Sequence, residues 1–246
     1  MRRDLLAAKR QREMGKEGMS DQVELTPRDI GRAWANELQA AAEADGEPDR
    51  WFDELYERAA GRPEYIPWET AAPRFKLKEW LASHPGGQQK ALDIGCGLGD
   101  NAVCLAQADY EVVAFDLSAT AVKWAEQRFD NHKITFTQGD VFNLPDAWIG
   151  SFDLVHETYN LQAMPQDRVD EAIREIAKLV KPGGTLLVLT RSRGEDEVPH
   201  GPPWPLTRVQ LRGFESQGLV ETEFEVFGDE RSEPIPHFLL SWKRPA

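Results

Sequence analysis

Apolar positions along this 246-residue chain fall into two regimes. From Thr26 to about Leu81 they recur at helical spacing. Thr26-Pro27, a cap residue followed by proline at the first helical position, leads into Ile30, Trp34 and Leu38. A second stripe, Trp51, Phe52, Leu55 and Tyr56, follows Gly46-Glu47-Pro48 and stops at Gly61-Arg62-Pro63. Phe75, Leu77, Trp80 and Leu81 predict a third, short helix. Trp34, Trp51 and Trp80 are assigned to packing. Pro85-Gly86-Gly87 is the best candidate boundary between this helical segment and the rest of the chain.

From Lys90 the pattern changes to short apolar runs alternating with helical stretches. The predicted strands are 91–94, 111–116, 134–138, 152–156 and 185–190, with helices near 101–107, 119–129 and 168–180. Strand and helix in turn mean crossover units and a parallel sheet covered on both faces. A polar, proline-rich stretch then runs to Pro205, followed by a helix over 207–217 and strands over 220–227 and 236–242.

Charge sharpens this outline. The chain carries 29 Lys+Arg against 42 Asp+Glu, a net of −13 with pI near 4.9, which argues against a nucleic-acid partner or an anionic membrane surface. Residues 1–20 run the other way, six basic against three acidic, a local +3. The expected division is a flexible basic extension over 1–25, a helical cap over 26–86 and a core over 87–246, with Met19 a second candidate start. Cys96 and Cys104 have no metal-ligand companion, so neither a metal site nor a disulfide framework is expected, and the compartment reads as reducing and cytoplasmic. No apolar run approaches the roughly 20 residues that span a bilayer, and none near the start resembles a signal peptide.

The chemistry concentrates at Ala91-Leu92-Asp93-Ile94-Gly95-Cys96-Gly97-Leu98-Gly99-Asp100, a strand running into a glycine-rich turn that opens a helix. Glycines let the backbone turn tightly and approach a ligand, and the helix mouth offers free N–H groups. A dinucleotide fingerprint would place glycine three residues after Gly97, where Asp100 stands instead. An acid there suits a cofactor without phosphate and with a cationic amino-acid end, which points to S-adenosylmethionine. Asp93 adds a carboxylate near the same mouth. Asp116, ending the second strand, is placed to accept both ribose hydroxyls, and Asp140, in Gln138-Gly139-Asp140-Val141-Phe142, to accept from the adenine amino group.

These residues resemble the class I S-adenosylmethionine-dependent methyltransferases from about Ala91 to Thr190. The matching motifs are Asp93 to Gly99, Asp116, Gly139-Asp140, Phe152-Asp153-Leu154-Val155 and Leu179-Val180-Lys181-Pro182-Gly183-Gly184. The resemblance implies an α/β, Rossmann-like, doubly wound sheet of seven strands in the order 3-2-1-4-5-7-6, mostly parallel with the last strand antiparallel. It implies cofactor contacts at Trp68, Asp93, Gly95, Gly97, Gly99, Asp116, Leu117, Asp140, Val141 and His156. Two further segments are similar to the thiopurine, thiol and tellurite methyltransferases: Trp51 through Trp68-Glu69, and Leu161 through Arg168. Where that group often has Asp-Arg after the fourth strand, this chain has His156-Glu157-Thr158-Tyr159, so its acceptor need not be shared.

Methyl transfer needs alignment, exclusion of water and, for an –OH or –NH acceptor, a proton acceptor. Ligands of open parallel sheets lie beyond the carboxyl ends of the strands, which singles out His156, Glu157 and Tyr159 as catalytic candidates and Arg191 and Arg193 beyond the fifth strand. His156 is either a base or a packed, hydrogen-bonded residue. Glu157 can bind an amine, position the methionine end of the cofactor or face water. The arginines can clamp a carboxylate or form a solvated face, and His200 lies in a segment able to fold over the site. Tyr65 and Trp68 either offer an aromatic face to the sulfonium or pack the cap. The expected activity is transfer to an S, O or N nucleophile of a small molecule by a monomer or homodimer. A peptide methyltransferase and a non-catalytic adenosyl-binding protein are the alternatives.

Overall fold

Thr26 accepts from the backbone N–H of Asp29 while Asp29 reaches back to the Thr26 N–H, so the first helix opens on a reciprocal cap. A computed structural model gives the architecture for residues 25–70, 74–130, 133–228 and 235–246. The expected basic extension and Met19 lie outside the described residues, Leu25 excepted. The helices are α1 Pro27–Asp45, α2 Trp51–Ala59, α3 Phe75–Ser83, α4 Asp100–Gln107, α5 Ala119–Arg128, α6 Val169–Leu179 and α7 Arg208–Leu211. The strands are β1 Lys90–Ile94, β2 Glu111–Asp116, β3 Ile134–Gln138, β4 Phe152–Thr158, β5 Val180–Arg191, β6 Val220–Gly228 and β7 Pro236–Lys243.

The seven strands form one sheet in the order β3-β2-β1-β4-β5-β7-β6. β1 pairs in parallel with β2 and β4, and β7 runs antiparallel to both β5 and β6, as the family resemblance implied. Side chains alternate across the strands, so each face has its own core. Leu92, Ile94, Val155, Leu186 and Val188 pack with Ile173 and Ile176 of α6 on one face. Ala91, Leu154, Leu187 and Leu189 pack with Leu77, Trp80 and Leu105 on the other. A third cluster joins Trp51, Leu55, Tyr56 and Ile66 to Leu98 and Ala121, seating the N-terminal helices on the glycine-rich turn and on α5.

Three elements differ from the sequence reading. β4 continues two residues past His156, because Glu157 and Thr158 pair with Val188 and Leu189 of β5. β5 begins at Val180, which pairs with Phe152 before the Lys-Pro-Gly-Gly turn interrupts the register. The predicted helix over 207–217 is one α-turn followed by a 3-10 segment, Arg212–Gln217. Gly213 approaches α6 so closely there that a Cβ would lie 3.3 Å from Ile173.

Candidate active site

The carboxyl ends of β1, β2 and β4 converge on the glycine-rich turn. Gly95, Gly97 and Gly99 all adopt positive φ, at 58°, 52° and 88°. A Cβ on Gly95 would stand 1.8 Å from Asn160 Oδ1, so the turn after β4 lies directly against the turn after β1. Asn160 fixes this contact by donating through Nδ2 to the Ile94 carbonyl at 2.7 Å.

Asp116 anchors the turn from the neighbouring strand. Its carboxylate accepts from the N–H groups of Gly97, at 2.8 Å, and Ser118, at 2.9 Å. Burial pushes its pKa up to about 6 against the pull of those two donors. A carboxylate has about four lone-pair sites, so two remain for ligand hydroxyls. The cap closes over this point: the Tyr56 hydroxyl sits 3.4 Å from a Cβ built on Gly97 and accepts from Trp68 Nε1 at 3.0 Å. Burial, reinforced by the nearby Asp116 charge, holds the Tyr56 phenol well above its ordinary pKa, so it stays neutral.

Asp93 and His156 face each other across the β1–β4 register, both fully buried. His156 Nδ1 donates to Asp93 Oδ1 at 2.7 Å, and Thr158 Oγ1 lies 2.7 Å from His156 Nε2. A carboxylate only accepts, so Nδ1 carries a proton, and Nε2 shares a hydrogen bond with the Thr158 hydroxyl. His156 is thus buried and hydrogen-bonded at both ring nitrogens, with neither open to direct contact with a ligand. Asp93 Oδ2 is buried without a protein partner.

Glu157 points to the opposite face of β4 and is also fully buried, which removes the water-facing alternative. Its Oε1 accepts from the N–H groups of Asn160 and Leu161, at 2.5 and 3.1 Å, so it shapes the very turn that rests on Gly95. Burial raises its pKa to about 7, and Oε2 has no protein partner. Tyr159 takes a left-handed φ of 69°. The guanidinium of Arg74 lies 4.7 Å from the Tyr159 ring centroid, and His237 lies 5.5 Å away.

The remaining candidates divide. Asp140, just past β3, accepts from the Phe142 N–H at 2.9 Å, with Val141 buried, and Leu117, just past the neighbouring β2, is exposed. Arg168 covers Phe142 at 3.5 Å and reaches Asp49 of the cap at 4.0 Å. Asp100 is not open to a cationic ligand end, because Arg128 holds both of its oxygens at 3.0 and 3.2 Å. Tyr65 packs inside the cap, stacked on Trp34 and covered by Arg62. Arg193 is consumed by the carbonyls of Pro205 and Glu197 and by Gln210, so it ties down its own loop and forms no clamp. Arg191 is half-buried at the end of β5, and His200 is exposed. Trp34, Trp51 and Trp80 pack as expected, Trp80 also donating to Glu223 at 2.7 Å.

Sequence reasoning missed Tyr56, Thr158, Asn160 and Arg168 as members of this neighbourhood. Tyr56 carried a signal, since it lies in the same segment as Trp68. Surface hollows lined by Lys76, Trp80 and Phe224, and by Ile149, Arg174 and Arg244, lie elsewhere. Cys96 and Cys104 are buried and unpaired, burial raises both thiols, and the described residues hold no cluster able to bind a metal ion.

Residues 91–184 match the sequence family described as a methyltransferase domain. A protein named as a probable thiol methyltransferase of Arabidopsis thaliana is 31% identical over 171 residues, covering 65% of this chain and 74% of that protein. The chain belongs to the S-adenosylmethionine-dependent methyltransferases. An uncharacterised methyltransferase of Synechocystis is 33% identical over 145 residues, 59% of this chain and 61% of that protein's length. The solved structure described as "Conversion of a Disulfide Bond into a Thioacetal Group during Echinomycin Biosynthesis" shares the fold, with a TM-score of 0.64 at 21% identity over 79% of this chain and 90% of that one. The methyltransferase cofactor is S-adenosylmethionine, and the residues present fit it. Three left-handed glycines leave the turn free of side chains, and the buried Asp93 and half-buried Asp116 suit a cationic amino-acid end and a ribose. No helix among the described residues is long and apolar enough to cross a membrane.

Proposed function

We propose that this chain methylates a small molecule at a sulfur, oxygen or nitrogen nucleophile by in-line displacement. The observation that carries this reading is the joined architecture of the β1 turn. Asp116 ties Gly97, Asn160 locks Gly95, and the cap lays Tyr56, held by Trp68, against Gly97. A short helical cap over 26–86 seated on the turn of a core over 87–246 suits enclosure of a small ligand better than docking of a macromolecule.

Bound S-adenosylmethionine supplies a methyl group activated by its sulfonium. Asp116 orients the ribose through its two remaining lone-pair sites. Asp140, Val141 and Leu117 receive the adenine, with Phe142 held in place by Arg168. Gly95 and Gly97 permit backbone approach, and the Asp93 carboxylate supplies negative charge toward the methionine end. The acceptor enters beside Thr158 and Tyr159, where Arg74 and Arg191 border the ends of β4 and β5. Two buried, unpaired cysteines suit a reducing compartment, and we place the enzyme in the cytoplasm.

Calorimetric titration with S-adenosylhomocysteine tests the assignment. Replacing Asp116 by Ala should weaken binding at least about tenfold, the loss of one charge-assisted hydrogen-bond pair, with the circular dichroism spectrum unchanged. Unaltered affinity removes Asp116 from the site, and a wild-type chain that does not bind overturns the reading.

A further inference from the structure

We infer that Thr158 is the catalytic residue that meets the acceptor, and that its acceptor carries a proton, as a hydroxyl or an amine does and an ionised thiol does not. The inference deepens the methyltransferase reading and rests on it. Three side chains from two strands form one hydrogen-bonded line: Asp93 Oδ1 to His156 Nδ1, 2.7 Å, and His156 Nε2 to Thr158 Oγ1, 2.7 Å. The first two are fully buried. Thr158 alone is half-buried, at the carboxyl end of β4, where ligands of such sheets lie.

The direction of the line decides the chemistry. A ring that serves as base is neutral, and with Nδ1 donating to Asp93 its Nε2 then has no hydrogen and accepts from Thr158. The single Thr158 proton is thus spent inward, and the hydroxyl shows only lone pairs outward. A group that donates a hydrogen bond is welcome there, whereas a thiolate would set one lone pair against another. His156 never touches the acceptor but can take its proton through Thr158. As the acceptor heteroatom forms its bond to the methyl carbon, the carbon–sulfur bond breaks and its electron pair stays on sulfur. The acceptor proton passes to Thr158 Oγ1 as the Thr158 proton passes to His156 Nε2. The resulting imidazolium is paired with Asp93 and returns its proton to water after product leaves.

The test measures S-adenosylhomocysteine formation with a panel of small phenols, alcohols and amines against a panel of thiols, in wild type, Thr158→Val and Thr158→Ser. Expected is wild-type transfer to at least one O–H or N–H acceptor, lowered about a hundredfold in kcat by Thr158→Val, the scale of lost general-base assistance, and largely restored by Thr158→Ser. Thiol transfer should not fall, and affinity for S-adenosylhomocysteine should stay within about twofold, because cofactor binding does not need the Thr158 hydroxyl. Thr158→Ala serves if the valine variant does not fold. Transfer confined to thiols, or an equal loss for all acceptors, or no restoration by serine, overturns the inference. A wild-type chain that fails to bind S-adenosylhomocysteine overturns the methyltransferase reading instead.

Discussion

Glu157 shows how much a single buried acid can alter the behaviour of this fold. Its carboxyl lies wholly out of water, and burial raises its pKa from 4.5 to about 7 despite two backbone donors. A raised folded-state value means that folding favours the protonated form. Stability from this group is full below about pH 4.5, falls as pH rises to 7 and is flat beyond, a span worth about 3 kcal/mol. Glu157→Gln should flatten that slope in chemical denaturation between pH 5 and 8, while an unchanged slope would place the titration elsewhere. Gly95 makes a complementary case. At φ 58° and with Asn160 Oδ1 in the space of its Cβ, Gly95→Ala must expel Asn160 and adopt a costly backbone. It should destabilise the chain by about 2 kcal/mol or more and abolish S-adenosylhomocysteine binding, read by thermal melting and titration.

At the scale of elements, the cap is held to the core by a few specific contacts. Asp53 of α2 accepts from Ser118 Oγ at 2.5 Å and from the Thr120 N–H at 3.0 Å, joining α2 to the start of α5. Partial burial opposes ionisation of Asp53, but these hydrogen bonds prevail and keep its pKa below the usual value. Asp53→Ala leaves both donors unmatched and should cost about 1–3 kcal/mol. Amide exchange should quicken in α2 and the first turn of α5 and stay slow in β1 and β4; uniform quickening would show that cap and core unfold together. The strands and the β1 turn were legible in the sequence because apolar runs and glycines report local structure. The two-residue extension of β4 was not, since Glu157 and Thr158 look like the end of a strand and are kept in it by pairing with β5. The relay was hidden for the same reason. Asp93 and His156 are 63 residues apart and meet only through the β1–β4 register, which no spacing along the chain encodes.

Over the whole molecule, internal and surface carboxylates pull in opposite directions as pH changes. Lowering pH from 8 toward 5.5 protonates Glu157 and then Asp116, relieving two charges that desolvation disfavours, so the melting temperature should rise. The same change carries the surface from a net charge of −13 toward neutrality near pH 4.9. Neutrality bears hardest on β6, the strand at the sheet's edge. Val220 and Val226 are 56% and 57% exposed there, alternating with Glu221, Glu223 and Glu225, whose charge discourages pairing with another edge. Light scattering should therefore show association setting in as pH approaches 5 while calorimetry still reports a more stable fold. Val226→Lys should delay that association without moving the melting temperature by more than about 2 °C, the range of an exposed substitution. Association that ignores Val226→Lys would place the contact on another surface.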